Sequence, residues 1–245
     1  MRFHLRAAAA AIVSGVLLPL VASSAHASDG YSARLQEALN GGEAEALEAL
    51  LSPELLDPFQ SRYSRFLAEF PDATWTVRPL TTRPDGRRSL ELVVRGEREG
   101  DGLRYRLDAS QRLAVRIEAG RMLEQEVLAE QSLLHSGAAA VPVTLAIPDA
   151  VLTGSRYDVD VIVDQPLGKA VVAGGLLSLT PEQVEQQIRP DLSLEPMGGG
   201  GLFKTVQAPQ RPGLQNWAAM LVHPQGVITV TKRVRVVSDR NELSR

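Results

Sequence analysis

The sequence predicts two differently built halves: an α+β N-terminal half, with three helices on a curved antiparallel sheet, followed by an all-β antiparallel sandwich. Three observations predict this. Between Ser89 and Leu134, apolar and polar residues alternate: Leu90, Leu92 and Val94, then Leu103, Tyr105 and Leu107, then Leu113, Val115 and Ile117. Successive side chains of a strand point to opposite faces, so this period of two marks strands with one buried face. Upstream, Phe59, Tyr63, Phe66, Leu67 and Phe70 recur at the i, i+3, i+4 spacing of a buried helical stripe. Beyond Pro142, about seven short alternating runs separated by turn residues argue an antiparallel sandwich.

The first 27 of the 245 residues read as a signal peptide. Arg2 and Arg6 give a positive start, Ala7 to Val21 is apolar, and Ala25-His26-Ala27 places small residues at a cleavage site. A retained membrane anchor is the competing reading, but the run is short of the roughly 20 apolar residues that span a bilayer. The mature chain would begin at Ser28, with no stable membrane span. Removing Arg2 and Arg6 from a chain of formal net charge −3 leaves −5. That acidity argues against nucleic acid as a partner, because phosphate binding needs a basic face. The chain has no cysteine, which excludes disulfides, thiolate metal sites, a cysteine nucleophile and a lipidated cysteine. An exported chain of this kind is held together by core burial alone.

Taken in order, Tyr31 to Leu39 is a helix with Leu35 and Leu39 on one face, stopped by Asn40-Gly41-Gly42. Glu43 to Leu51 is a second short helix. Ser52-Pro53-Glu54 is a start pattern of capping serine, first-turn proline and acid, and opens a third helix that reaches Phe70. Trp75 to Leu80 is a strand, and Arg83-Pro84-Asp85-Gly86 is a turn. Gly100-Asp101-Gly102 and Ala119-Gly120 divide the alternating block into a meander. Met122 to Leu134 has apolar spacing that suits either a bulged strand or a partial helix. The turn at Gly120, which pairs it with Leu113 to Ile117, selects the long strand.

Helix, helix, aromatic-striped helix, strand, then a meander of long strands resembles the nuclear transport factor 2-like superfamily. The residues that carry the resemblance are Phe70-Pro71-Asp72-Ala73-Thr74-Trp75, Asp85-Gly86 in the hairpin, and Arg112 to Leu134 with its Ala119-Gly120 turn. The resemblance covers Tyr31 to Leu134 and implies a cone of curved sheet wrapped on the helices. It divides the chain into a signal peptide (1–27), a cone-like domain (28–135), a linker (136–141), a sandwich (142–238) and a polar tail (239–245). In the sandwich, Val143 to Ile147, Tyr157 to Val163, Ala170 to Leu179, Leu202 to Ala208, Asn216 to His223 and Val227 to Val237 read as strands, with one or two helical turns at Pro181 to Ile188. Pro224-Gln225-Gly226 makes the last two strands a hairpin. This region looks immunoglobulin-like without the disulfide.

Enzymes of the resembled superfamily place a carboxylate and a tyrosine inside the pocket, where desolvation tunes the acid. Tyr63 and Tyr105 are the tyrosines that could point inward, and Glu91, Asp108 and Glu124 are the nearest sheet carboxylates. Alternation turns Glu91 and Asp108 away from the apolar set. Tyr63, Phe66, Leu92, Tyr105 and Val115 are therefore read as the lining of a pocket, or as core, and no catalytic residue is assigned. No metal and no cofactor is expected. His135 and His223 lack a neighbouring second ligand in sequence and read as surface histidines. Asp158, Asp160 and Asp164 lie about 7 Å apart along one strand face, which suits solvation better than calcium. Gly198 to Gly201 with Lys204-Thr205 fails as a phosphate loop, because Phe203 stands where a glycine is needed and no helix follows. It reads as a flexible loop that could close on a partner.

The expected role is an exported, non-catalytic binding or assembly module of the cell envelope, in the periplasm, the thylakoid lumen or outside the cell. Its partner is a protein or a small apolar ligand. Two alternatives stay open: an isomerase, dehydratase or hydrolase using a Tyr and a carboxylate in the cone, and a structural part of a larger envelope or photosynthetic-membrane assembly.

Overall fold

In a computed structural model, described for residues 30–137, 141–165, 172–186, 190–197 and 199–243, three helices precede a long meander. The helices are α1 (Tyr31–Gly41), α2 (Ala44–Glu48) and α3 (Pro53–Glu69), followed by strands β1 (Thr74–Pro79), β2 (Arg88–Gly100), β3 (Leu103–Glu118) and β4 (Arg121–Ser136). Then come β5 (Val143–Ala146), β6 (Ala150–Leu152), β7 (Arg156–Val163), β8 (Ala173–Leu179), α4 (Pro181–Glu185), β9 (Glu195–Pro196), β10 (Gly201–Gln207), β11 (Gly213–His223) and β12 (Gly226–Val237). Residues 1–27, read above as a signal peptide, lie outside the described residues. So do residues 138–140 of the stretch read as a linker, Gly198 and the last two residues of the polar tail.

The meander turns follow from backbone chemistry. Asp101 and Gly102 have φ 54° and 74°, and Ala119 and Gly120 have 49° and 79°. Two consecutive left-handed residues make the turn whose twist matches paired antiparallel strands, and glycine at the second place removes the Cβ clash. Met122 to Leu134 lies entirely in strand, within the 16 residues of β4.

The predicted fold class needs correction. The N-terminal half is not a three-helix cone closed on its own sheet. β1, β2, β3 and β4 continue through β12 into β11, β8 and β9 as one large sheet, which β6 joins beside β12, and the protein is mostly antiparallel β with few helices. The physical reason lies in the edge of β4. A cone needs that edge free to curl over the helices, but Glu130 to Ser136 pair residue for residue with Arg233 to Val227 of β12. Alternation shows that a strand has a buried face; it does not show which strand takes its open edge.

The chain forms two compact units. One holds residues 30–96 with Ser110–Leu128, and the other holds Glu97–Ala109 with the chain from Ala129 onward. In the first, Leu35, Leu39, Leu47, Leu55 and Tyr63 of the helices are buried, as are Leu90, Leu92, Val94, Leu113 and Val115 of the strands. In the second, a three-stranded sheet ordered β10-β7-β5 buries Tyr157, Val159, Val161 and Val163 in one cluster with Trp217, Ala219 and Leu221 of β11 and Ile228, Val230, Val234 and Val236 of β12. Both sheets contribute every second residue, so their alternation accounts for the cluster.

Candidate functional site

In the first unit, buried side chains of the helices and strands surround a small cavity. A cavity of about 20 Å3 remains, lined by Leu35, Leu39, Leu51, Leu55, Phe59, Leu92, Leu113, Met122 and Gln125. About one water molecule needs 10–15 Å3, whereas sites for drug-sized ligands run to roughly 300–1,000 Å3. Gln125 is the one polar residue in the lining. The cavity can take a methyl group or a water, and it offers no acid to a substrate.

Of the residues read as pocket lining, Leu92 lines this cavity. Tyr63 and Phe66 belong to an aromatic cluster beside α3. Phe59 stacks on Tyr63 at 5.5 Å, Phe66 stacks on Phe70 at 5.6 Å, and Phe66 meets Trp75 edge-on at 5.4 Å. The Tyr63 hydroxyl donates to the Leu39 carbonyl near the end of α1. Tyr31 makes the corresponding tie to the Leu50 carbonyl at 3.0 Å. Burial pushes the pKa of both phenols up; in each case the hydroxyl is engaged by a backbone carbonyl. Val115 is fully buried. Tyr105 belongs to the second unit, where the Arg98 guanidinium lies 4.0 Å over its ring.

Of the three sheet carboxylates singled out above, Asp108 is exposed and the other two lie on ion pairs. Glu91 faces Arg78 at 3.6 Å, Glu124 meets Arg116 at 2.5 Å, and Glu126 meets Arg87 at 2.7 Å. Asp158 accepts from the Thr205 hydroxyl at 2.7 Å, and Asp160 from the Lys204 amide at 3.3 Å. Among the described residues, no group of three or more His, Asp or Glu is placed to hold a metal ion.

Two sequence readings change. His135 is not a surface residue: it sits on β4, 9% exposed, with Nε2 3.2 Å from the Val141 carbonyl. Gly200 and Gly201 are not a free loop. The Val163 amide donates to the Gly200 carbonyl at 2.6 Å, and a Cβ on Gly201 would stand 2.5 Å from the Val161 carbonyl. Glycine is there because the two backbones approach too closely for a side chain.

Sequence reasoning missed two polar devices in the second unit. Lys232 is buried and pairs with Asp149, and its ammonium also donates to Gln131 at 3.2 Å. Its signal was present: Lys232 shares parity with Ile228, Val230, Val234 and Val236, so alternation alone places it on the buried side. Across the same core, Trp217 Nε1 donates to the Tyr157 hydroxyl at 3.0 Å, which donates to Gln215 at 2.8 Å. Buried polar groups of this kind fix register because a slipped strand would leave them unpaired.

No described helix is long and apolar enough to cross a membrane. Residues 138–237 match the model of a family described as a domain of unknown function (DUF8623), a match over less than half of the chain. A search of curated proteins gives no match.

Proposed function

We propose that the protein is an exported, non-catalytic binding or assembly module of the cell envelope whose partner is another protein. The observation that carries this reading is the small size and apolar lining of the cavity in the first unit. Its cavity of about 20 Å3 has an apolar lining, and the hydroxyls of Tyr31 and Tyr63 are held by backbone carbonyls. That cavity admits nothing larger than a water or a methyl group, which favours recognition at the surface. Export rests on the sequence: Arg2 and Arg6, the apolar run from Ala7 to Val21, and Ala25-His26-Ala27.

Two measurements test it together. The intact mass of the chain from an osmotic-shock fraction should correspond to a start at Ser28; full-length protein retained in the cytoplasm contradicts export. Cross-linking in the envelope followed by affinity capture should return one specific protein partner. Recovery of none, where known complexes are recovered, contradicts the module.

A further inference from the structure

The two sheets treat their exposed edges differently. At β1, the edge of the large sheet, α1 covers the backbone with side-chain amides: Asn40 pairs with Trp75, and Gln36 accepts from Val77. At β10, an edge of the three-stranded sheet, no such cover exists among the described residues. The Val163 amide donates to the Gly200 carbonyl, and the Ala208 amide donates to the Ser155 carbonyl. Even-numbered residues of β10 therefore turn their backbone groups toward β7, and Phe203 and Thr205 turn theirs outward. Phe203 is 62% exposed, and its neighbours Lys204 and Thr205 are exposed as well. An open edge seven residues long with an exposed aromatic is the kind of edge that accepts a further strand.

The occupant follows from charge. If two copies paired through β10 with full overlap, antiparallel geometry would set Gly201 against Gln207 and Lys204 against the Lys204 of the other copy. Like charges directly opposite destabilise a strand pair, so Lys204 disfavours self-pairing in the register of full overlap. The same ammonium lies 5.7 Å over the Trp217 ring and is exposed at its outer side, where it favours an acidic side chain on an incoming strand, while Phe203 on the other face favours an apolar one.

We propose that β10 receives an extended segment of a partner protein, paired along its free edge, with an Asp or Glu facing Lys204 and an apolar residue beside Phe203. This rests on the reading of the chain as a binding module, and names the surface and the partner's chemistry.

The test uses the full chain and two labelled peptides, Ser-Thr-Val-Glu-Val-Thr-Ser and its central Lys counterpart. Fluorescence anisotropy should show the Glu peptide binding about tenfold more tightly, with slowed amide exchange at Phe203 and Thr205. Lys204→Glu should reverse the preference. Thr205→Pro, which removes an outward N–H together with the hydroxyl bond to Asp158, should abolish binding in a chain that still folds, while Thr205→Val, which removes the hydroxyl alone, should leave binding unchanged. No binding, equal binding of both peptides, protection elsewhere, or a dimer of the unaltered chain through this edge each overturns the proposal. Such a failure leaves the binding-module reading to be judged separately by the envelope capture.

Discussion

The side-chain amide of Asn40 pairs with both backbone polar groups of Trp75: Nδ2 donates to the carbonyl at 2.9 Å, and Oδ1 accepts from the amide at 2.8 Å. One turn earlier on the same helix face, Gln36 Oε1 accepts from the Val77 amide at 2.9 Å. The next outward position on β1 is Pro79, which has no N–H. Two side chains spaced i, i+4 and one proline thus close the edge of the large sheet. Asn40→Ala strands two backbone groups at once. It should cost about 2 kcal/mol in urea unfolding and accelerate exchange of the Trp75 amide. A loss under about 0.5 kcal/mol would show that water replaces Asn40 freely.

Gly96 and Phe70 form a second tight relationship. A Cβ on Gly96 would stand 3.0 Å from the Phe70 ring and 3.1 Å from its Cβ, and Phe70 is fully buried. Gly96→Ala should destabilise by about 2 kcal/mol through overpacking. Adding Phe70→Leu should recover part of that loss relative to Phe70→Leu alone, measured as a double-mutant cycle.

The Lys232–Asp149 pair predicts an asymmetry. The Lys232 side chain is 7% exposed and the Asp149 side chain 34%. Asp149→Ala leaves a buried ammonium with Gln131 beside it, and should cost about 3 kcal/mol. Lys232→Met leaves a carboxylate that water can reach and keeps the core apolar, so it should cost about 1 kcal/mol. Chemical denaturation of both variants checks the order; equal losses would contradict it.

Stability should fall in alkali for a specific reason. Burial raises the pKa of Tyr31, Tyr63 and Tyr157 above the ordinary value of 10.0. Above pH 10.0 the unfolded chain loses these protons first, so it binds fewer protons than the folded chain and stability declines as pH rises. Below that pH the contribution is fully present. Unfolding curves from about pH 8 to 11 should show the decline, and Tyr31→Phe should make it shallower. An unchanged slope in that variant would contradict the burial of Tyr31.

Local structure was legible where it follows from nearby residues. The helix stop at Asn40-Gly41-Gly42, the Ser52-Pro53 start, the turns at Asp101-Gly102 and Ala119-Gly120, and the strand from Met122 to Leu134 all rest on local backbone preference and periodicity. The joining of β4 to β12 was not legible, because alternation in Leu128 to Leu134 is the same whichever strand lies alongside. Local preference marks Asn40 as a helix terminator, but not the bond its side chain makes to a strand 35 residues away. Lys232 could have been found from parity. The pairing of Gly200 with β7 could not, since four glycines in a row look alike in a free loop and in a close backbone approach. Leu92 was placed against the cavity by alternation, but the size of that cavity depends on how fully Leu55, Phe59 and Met122 meet.

The most direct test of recognition through the surface is photo-cross-linking from a photoreactive amino acid placed at position 203 in living cells. The outcome expected here is a discrete adduct between this chain and one other envelope protein, lost when Thr205→Pro is added. No adduct, or an adduct only to a second copy of the chain, would contradict it.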